Sequence, residues 1–67
     1  MEVFINENLE NVNELCTLKH IADLKLGDKQ NGIAIALNNK VILKDDWNKT
    51  ILKSNDRILI IKATQGG

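Results

Sequence analysis

Ile33-Ala34-Ile35-Ala36-Leu37-Asn38-Asn39-Lys40-Val41-Ile42-Leu43 is the stretch from which the fold of this chain is read. Residues 33–37 are apolar without a break, and in an extended strand Ile33, Ile35 and Leu37 take one face while Ala34 and Ala36 take the other. A strand that is apolar on both faces is either central in a sheet or keeps one face for a partner. Asn38-Asn39 tolerates the positive φ angles of a tight hairpin, so the chain should turn back into a short strand over Val41 to Leu43.

Upstream, Asn31-Gly32 marks a turn, and before it Leu18, Ile21, Ala22 and Leu26 recur at helical spacing. Thr17 is placed to cap that helix, Lys19, Asp23 and Lys25 supply its wet side, and Gly27 is suited to end it. A helix of about two to three turns does not persist alone, so it must pack on a sheet. Met1 to Asn6 reads as a first strand, with Val3 and Ile5 on one face and Phe4 on the other. Asn6-Glu7-Asn8 is turn-forming, and Leu9 to Leu15, around Val12, is expected to be a short edge strand pairing back on the first.

Downstream, Asp45 to Lys49 holds Trp47 in a polar setting, as expected of a single 3₁₀ turn with one large hydrophobic anchor. Asn55-Asp56 is another turn, and the last strand runs from Arg57 to about Ala63. Asp45, Asp46 and Asp56 are turn formers. The order is strand, strand, helix, strand, short strand, turn, strand, a two-layer α+β architecture with one helix across one face of the sheet.

The other face of the sheet is then left open. If Ile58 and Ile60 meet the helix, Leu59 and Ile61 point outward with Phe4 and with Ala34 or Ala36, and a contiguous apolar patch of that kind marks a binding surface. The candidate partner-binding residues are therefore Phe4, Ala34, Ala36, Leu59 and Ile61, with Arg57 and Lys62 flanking the apolar pair to meet acidic partner residues.

Composition narrows the function. A chain of 67 residues buries only about 60% of the surface its unfolded form exposes, leaving little material for a deep catalytic cleft. A module that meets partners is expected, monomeric by itself. Nine Lys plus Arg balance nine Asp plus Glu, and the basic residues are scattered from Lys19 to Lys62, which argues against nucleic acid. No apolar run approaches a transmembrane span and no basic-then-apolar leader precedes Glu2, so neither a membrane nor a secretory route is expected. Cys16 is the one cysteine, so no internal disulfide can form, consistent with a reduced cytoplasmic setting. Cys16 is read as a small buried thiol and His20 as a boundary residue, and with no second histidine a structural metal site lacks ligands.

Gly66-Gly67 closes the chain. Without Cβ atoms, this pair can lie extended in a channel too narrow for other residues and leave the Gly67 carboxylate open to attack. Gly67 is the candidate covalent site and Gly66 its steric companion, with Gln65, Thr64 and Ala63 along the partner channel.

The order and spacing of Ile35-Ala36-Leu37-Asn38, Val41-Ile42, Trp47, Asn55-Asp56-Arg57-Ile58 and Gly66-Gly67 resemble the ubiquitin-like β-grasp sulfur carriers, and among them the ThiS-type carriers of thiamine biosynthesis. The resemblance spans essentially the whole chain. It implies one β-grasp domain over residues 1–67, with a mixed sheet of four to five strands and a flexible tail at 63–67. It further implies that a ThiF-like adenylyltransferase uses ATP to adenylate the Gly67 carboxylate, and that a persulfide donor protein converts it to a thiocarboxylate. Thiazole synthase, ThiG, would accept the sulfur. The chain itself would bind no cofactor and carry no catalytic apparatus.

Two positions depart from the family pattern. Leu43 stands where proline is usual, which restores an amide donor and predicts fuller pairing of the short strand. Asn55 stands where glycine is usual, and asparagine is the next most tolerant of the left-handed conformation. Two other functions fit the fold. One is the small subunit of molybdopterin synthase, a family that tends to be longer with a larger helical region. The other is a non-covalent interaction module with passive terminal glycines.

Overall fold

Asn6 and Glu7 both take positive φ, 49° and 70°, and so fold β1 (Glu2–Ile5) back onto β2 (Asn8–Asn11) as a two-residue hairpin that sets Ile5 opposite Asn8. Asn38 and Asn39 repeat the device at φ 51° and 70°, joining β3 (Ile33–Leu37) to β4 (Lys40–Ile42) with Leu37 opposite Lys40. Between the hairpins lies one helix, α1 (Leu18–Leu26), and after them come a 3₁₀ helix (Lys44–Lys49) and β5 (Arg57–Lys62). The computed structural model describes residues 1–62.

The five strands form one mixed sheet in the order β2-β1-β5-β3-β4. β5 is central, parallel to β1 and antiparallel to β3. This is the β-grasp arrangement expected from the resemblance. Val3, Ile5, Ile35 and Ile58 on one side of the sheet meet Leu18, Ile21 and Ala22 of α1, with Cys16, Trp47 and Leu52 completing the core. Trp47 is 1% exposed, and its indole N–H donates to the Ile42 carbonyl at 3.0 Å, so the anchor satisfies its one polar atom. Leu52 was not anticipated. It is drawn in because its amide donates to the Cys16 carbonyl at 2.8 Å, beside a Leu18-to-Thr50 bond of 3.1 Å.

Both ends of α1 are capped. The Thr17 hydroxyl accepts the His20 amide at 3.2 Å, and the Thr17 amide donates to His20 Nδ1 at 3.1 Å, a reciprocal capping box in which histidine plays the part glutamate usually takes. At the C-terminal end Gly27 sits at φ 56°, ψ −119°, a conformation that L residues rarely adopt, and its amide donates to the Asp23 carbonyl. Gln30 is buried there, its Nε2 donating to Asp23 Oδ1 at 2.8 Å and the Gly27 carbonyl at 2.7 Å while Oε1 accepts from Lys19 Nζ at 2.8 Å.

Several boundaries differ from expectation. The first strand starts at Glu2, and the second is Asn8–Asn11 rather than Leu9 to Leu15. Asn8 joins the strand because the turn needs only two residues, and the chain leaves the sheet at Val12, whose amide donates to the Met1 carbonyl at 2.8 Å. The short strand is Lys40–Ile42 rather than Val41 to Leu43. Leu43 does not lengthen the ladder despite its amide donor. At φ −62°, ψ 144° it turns into the 3₁₀ helix, adopting the φ that a proline would impose. The last strand is described as far as Lys62, and Ala63 lies outside the described residues.

Among the described residues, no helix is long and apolar enough to cross a membrane.

Candidate functional site

β5 leads toward the Gly66-Gly67 tail, and side chains as well as backbone tie it to both neighbouring strands. On the β1 side, the Phe4 amide donates to the Asp56 carbonyl at 2.8 Å and the Asn6 amide to the Ile58 carbonyl at 2.9 Å. Where β1 ends, Asn6 Oδ1 takes over and accepts the Ile60 amide at 2.9 Å. On the β3 side, the Asn38 amide donates to the Arg57 carbonyl, and Asn38 Oδ1 accepts the Arg57 amide at 2.9 Å. Asp56 closes the preceding turn, its carboxylate accepting from Asn38 Nδ2 at 3.0 Å and from the Lys53 amide at 2.7 Å. Asn55 takes φ 70°, the left-handed conformation expected of it, and its amide donates to the Glu2 carbonyl at 2.7 Å.

The strand register gathers the expected face. Leu59 pairs with Ala36 and Ile61 with Ala34, while Phe4 pairs with Arg57, so all six lie on the side of the sheet away from α1. Leu59 is 49% and Ile61 41% exposed. Ala36 is buried even on this outer side, because it forms the floor of an open hollow whose walls include Phe4, Glu7, Asn39, Arg57 and Leu59. An alanine between larger neighbours makes the depression.

Two further apolar residues belong to this face. Leu9, opposite Phe4, and Val41, opposite Ala36, are both more than half exposed and extend the patch across all five strands. The signal that could have found them was in the chain. Once each two-residue turn is recognised, counting back from it fixes which residues stand opposite one another.

Lys62 does not join the face. It is five positions from Arg57, an odd number, and so falls on the opposite side of β5. There it pairs with Ile33 and lines a separate hollow with Ile60, Glu10, Lys25 and Leu26. Arg57 is exposed, and its guanidinium carbon lies 5.4 Å from the centre of the Phe4 ring, within cation–π distance. Gly67, Gly66, Gln65 and Thr64 lie outside the described residues.

Cys16 and His20 line one shallow hollow, but each bonds to Thr17 and no hydrogen bond joins the two. The Cys16 thiol is buried, lies 3.6 Å from the Thr17 carbonyl, and is pushed up in pKa by burial, which disfavours the nucleophilic thiolate. The His20 Nδ1 lone pair is committed to the Thr17 amide. Asp45 and Asp46 occupy the first turn of the 3₁₀ helix, as turn formers do.

The comparisons with known proteins bear on this geometry. The ThiS family model matches residues 2–67. The chain is 30% identical over 43 residues to the sulfur carrier protein ThiS of Escherichia coli (strain K12), an alignment that spans 64% of this chain and 65% of that relative's length. It is also similar to the crystal structure of a thiamine biosynthesis protein (ThiS) from Geobacter metallireducens, with a TM-score of 0.85 and 17% identity over 100% of both chains. At that identity, the structural likeness speaks for the fold.

Proposed function

The chain belongs to the ThiS family, and from that premise we propose that it is a sulfur carrier of thiamine biosynthesis, loaded at Gly67. The observation that carries the reading is that the family match runs through residue 67 and so includes Gly66-Gly67.

A carboxylate is a poor electrophile, because its charge repels nucleophiles and it has no leaving group. In the proposed reaction, a Gly67 carboxylate oxygen attacks the α-phosphorus of ATP on a ThiF-like adenylyltransferase, and pyrophosphate leaves. The terminal sulfur of a donor persulfide then attacks the acyl carbon, breaking its bond to the adenylate oxygen and releasing AMP. A second thiol cleaves the resulting S–S bond, which leaves a thiocarboxylate on the chain and a disulfide on the donor side. ThiG takes the sulfur from the thiocarboxylate into the thiazole phosphate.

The chain's part is to present the tail and to dock. The bonds that hold β5 to β1 and β3 make a firm base as far as Lys62, and a partner bound to the apolar face of Phe4, Ala34, Ala36, Leu59 and Ile61 is held beside the strand that the tail follows in sequence. Adenylation and sulfur transfer are the partners' chemistry, the chain binds no ATP of its own, and it acts in the cytoplasm as a protein cosubstrate.

The test is intact-mass measurement after incubation with a ThiF-like adenylyltransferase, ATP and a persulfide donor. The expected result is a gain matching replacement of one oxygen by sulfur, absent when Gly67 is deleted. No gain with a partner shown to be active on another carrier would overturn the proposal. A thiazole-forming assay run beside a molybdopterin-forming one then reads the acceptor.

A further inference from the structure

Arg57 is a cation set within an apolar docking face. It heads the outward row Arg57, Leu59, Ile61 on the central strand, lies over the Phe4 ring, and borders the hollow floored by Ala36. Among the described residues, no carboxylate lies within 4.0 Å of its guanidinium. The ion pairs there are Lys19 with Asp23 and Lys25 with Glu10, both away from this face. The adjacent Asp56 is turned into the turn, with both of its oxygens bonded to Asn38 and Lys53.

A partner that covers the apolar residues strips water from this guanidinium. Left unpaired, a desolvated charge weighs strongly against binding. Paired with a carboxylate, it forms charge-assisted hydrogen bonds that the planar fork can make two at a time. The same residue thus rewards one class of partner and penalises the rest, which is how a charge produces specificity.

We infer that Arg57, held over Phe4, is the specificity determinant of this face and selects an activating partner that presents a carboxylate opposite the Phe4–Arg57 pair. The inference rests on the carrier reading above for the identity of the partner. Arg57 acts on docking and stands apart from the reacting carbonyl, so its removal should raise Kd and KM and leave kcat unchanged.

The experiment uses the full-length chain and a purified ThiF-like adenylyltransferase. Kd is measured by titration calorimetry, and KM and kcat by intact-mass time courses with ATP and a persulfide donor. Wild type is compared with Arg57→Gln, Arg57→Lys, Arg57→Glu and, as a control remote from the face, Lys29→Glu. Arg57→Gln should raise Kd and KM by about 10- to 30-fold and Arg57→Glu by more than about 100-fold, with Arg57→Lys between wild type and Gln. Lys29→Glu should stay within about 2-fold of wild type, since an isolated surface charge contributes little. Raising salt should weaken wild-type binding more than Arg57→Gln binding.

Wild-type Kd and KM in both Arg57→Gln and Arg57→Glu would overturn the inference, as would a fall in kcat at unchanged KM. Thermal unfolding of each variant checks the fold, and Arg57→Gln decides if Arg57→Glu does not fold. Wild type that binds but gains no sulfur refutes the carrier reading, while the Kd series still decides the role of Arg57. Wild type that does not bind refutes both.

Discussion

Replacing Gly27 with L-alanine and, by chemical synthesis, with D-alanine separates backbone conformation from packing at the end of α1. Gly27 stands at φ 56°, ψ −119°, and a Cβ built on it meets nothing within 4 Å. No steric clash enters the comparison. The amide bond to Asp23 and the carbonyl bond from Gln30 are available to either variant. What changes is the intrinsic energy of the dihedral pair, about 1–3 kcal/mol for an L residue held in a sparsely populated region.

Both substitutions also remove freedom from the unfolded chain, which stabilises by about 0.4–1 kcal/mol. Taking the middle of each range, about 2 kcal/mol of strain less about 0.7, Gly27→Ala should destabilise by a net of about 1–2 kcal/mol. D-alanine finds the same dihedrals ordinary, since their mirror image is extended backbone, and should stabilise by about 0.4–1 kcal/mol. Against a total of about 3–10 kcal/mol for 67 residues, the L variant is a large perturbation, equivalent to about 4–16 °C in Tm. Urea unfolding followed by the fluorescence of Trp47, the one tryptophan, measures both. Equal destabilisation by the L and D residues would refute the conformational argument, as would an L-alanine variant within about 0.3 kcal/mol of wild type.

Leu15 has φ 65° and is 74% exposed, so it carries left-handed strain with little burial in return. Leu15→Gly should raise stability by about 0.5–1 kcal/mol in a thermal melt, and a loss instead would mean that the leucine packs in solution. Leu43→Pro suits a residue already at φ −62° after an extended Ile42, and should leave Tm unchanged or raise stability by up to about 1 kcal/mol. A drop would show that the Leu43 amide is bonded. The Asp23 carboxyl is held below the usual carboxylate range, first by the hydrogen bond from Gln30 and then by Lys19. A depressed folded-state pKa contributes stability above the unfolded value, and that contribution is lost as pH falls through the folded one. Wild type should therefore lose stability below about pH 4 more steeply than Asp23→Asn, and superimposable acid-unfolding curves would contradict this.

Much of the fold was legible because it is written in short-range dihedral preference. The period of two in residues 33–37 announced a strand with two apolar faces, Asn38-Asn39 its hairpin, and Thr17 and Gly27 the limits of the one helix. Alternation along residues 58–61 separated Leu59 and Ile61 from Ile58 and Ile60, and the structure puts Ile58 in the core and Leu59 and Ile61 on the face away from α1. Boundaries slipped where a residue can serve two structures. Asn8 and Lys40 look like turn residues yet belong to strands, because two-residue turns leave them paired.

The long-range pairing was not legible from local pattern. The parallel pairing of β1 with β5 joins residues more than fifty apart in sequence, and no dihedral preference within either strand specifies its neighbour; resemblance alone pointed to the arrangement. The bonds from the side chains of Asn6 and Asn38 to β5 follow from which segments meet in space. So does the lack of an ion pair to Arg57 among the described residues, although Glu7 lines the same hollow. By itself the sequence determined the local elements and the apolar periodicity that makes a two-layer domain. Tertiary structure decided which side chains share the sheet face away from α1, because that depends on strand order and register, which are settled only when distant segments pack against one core.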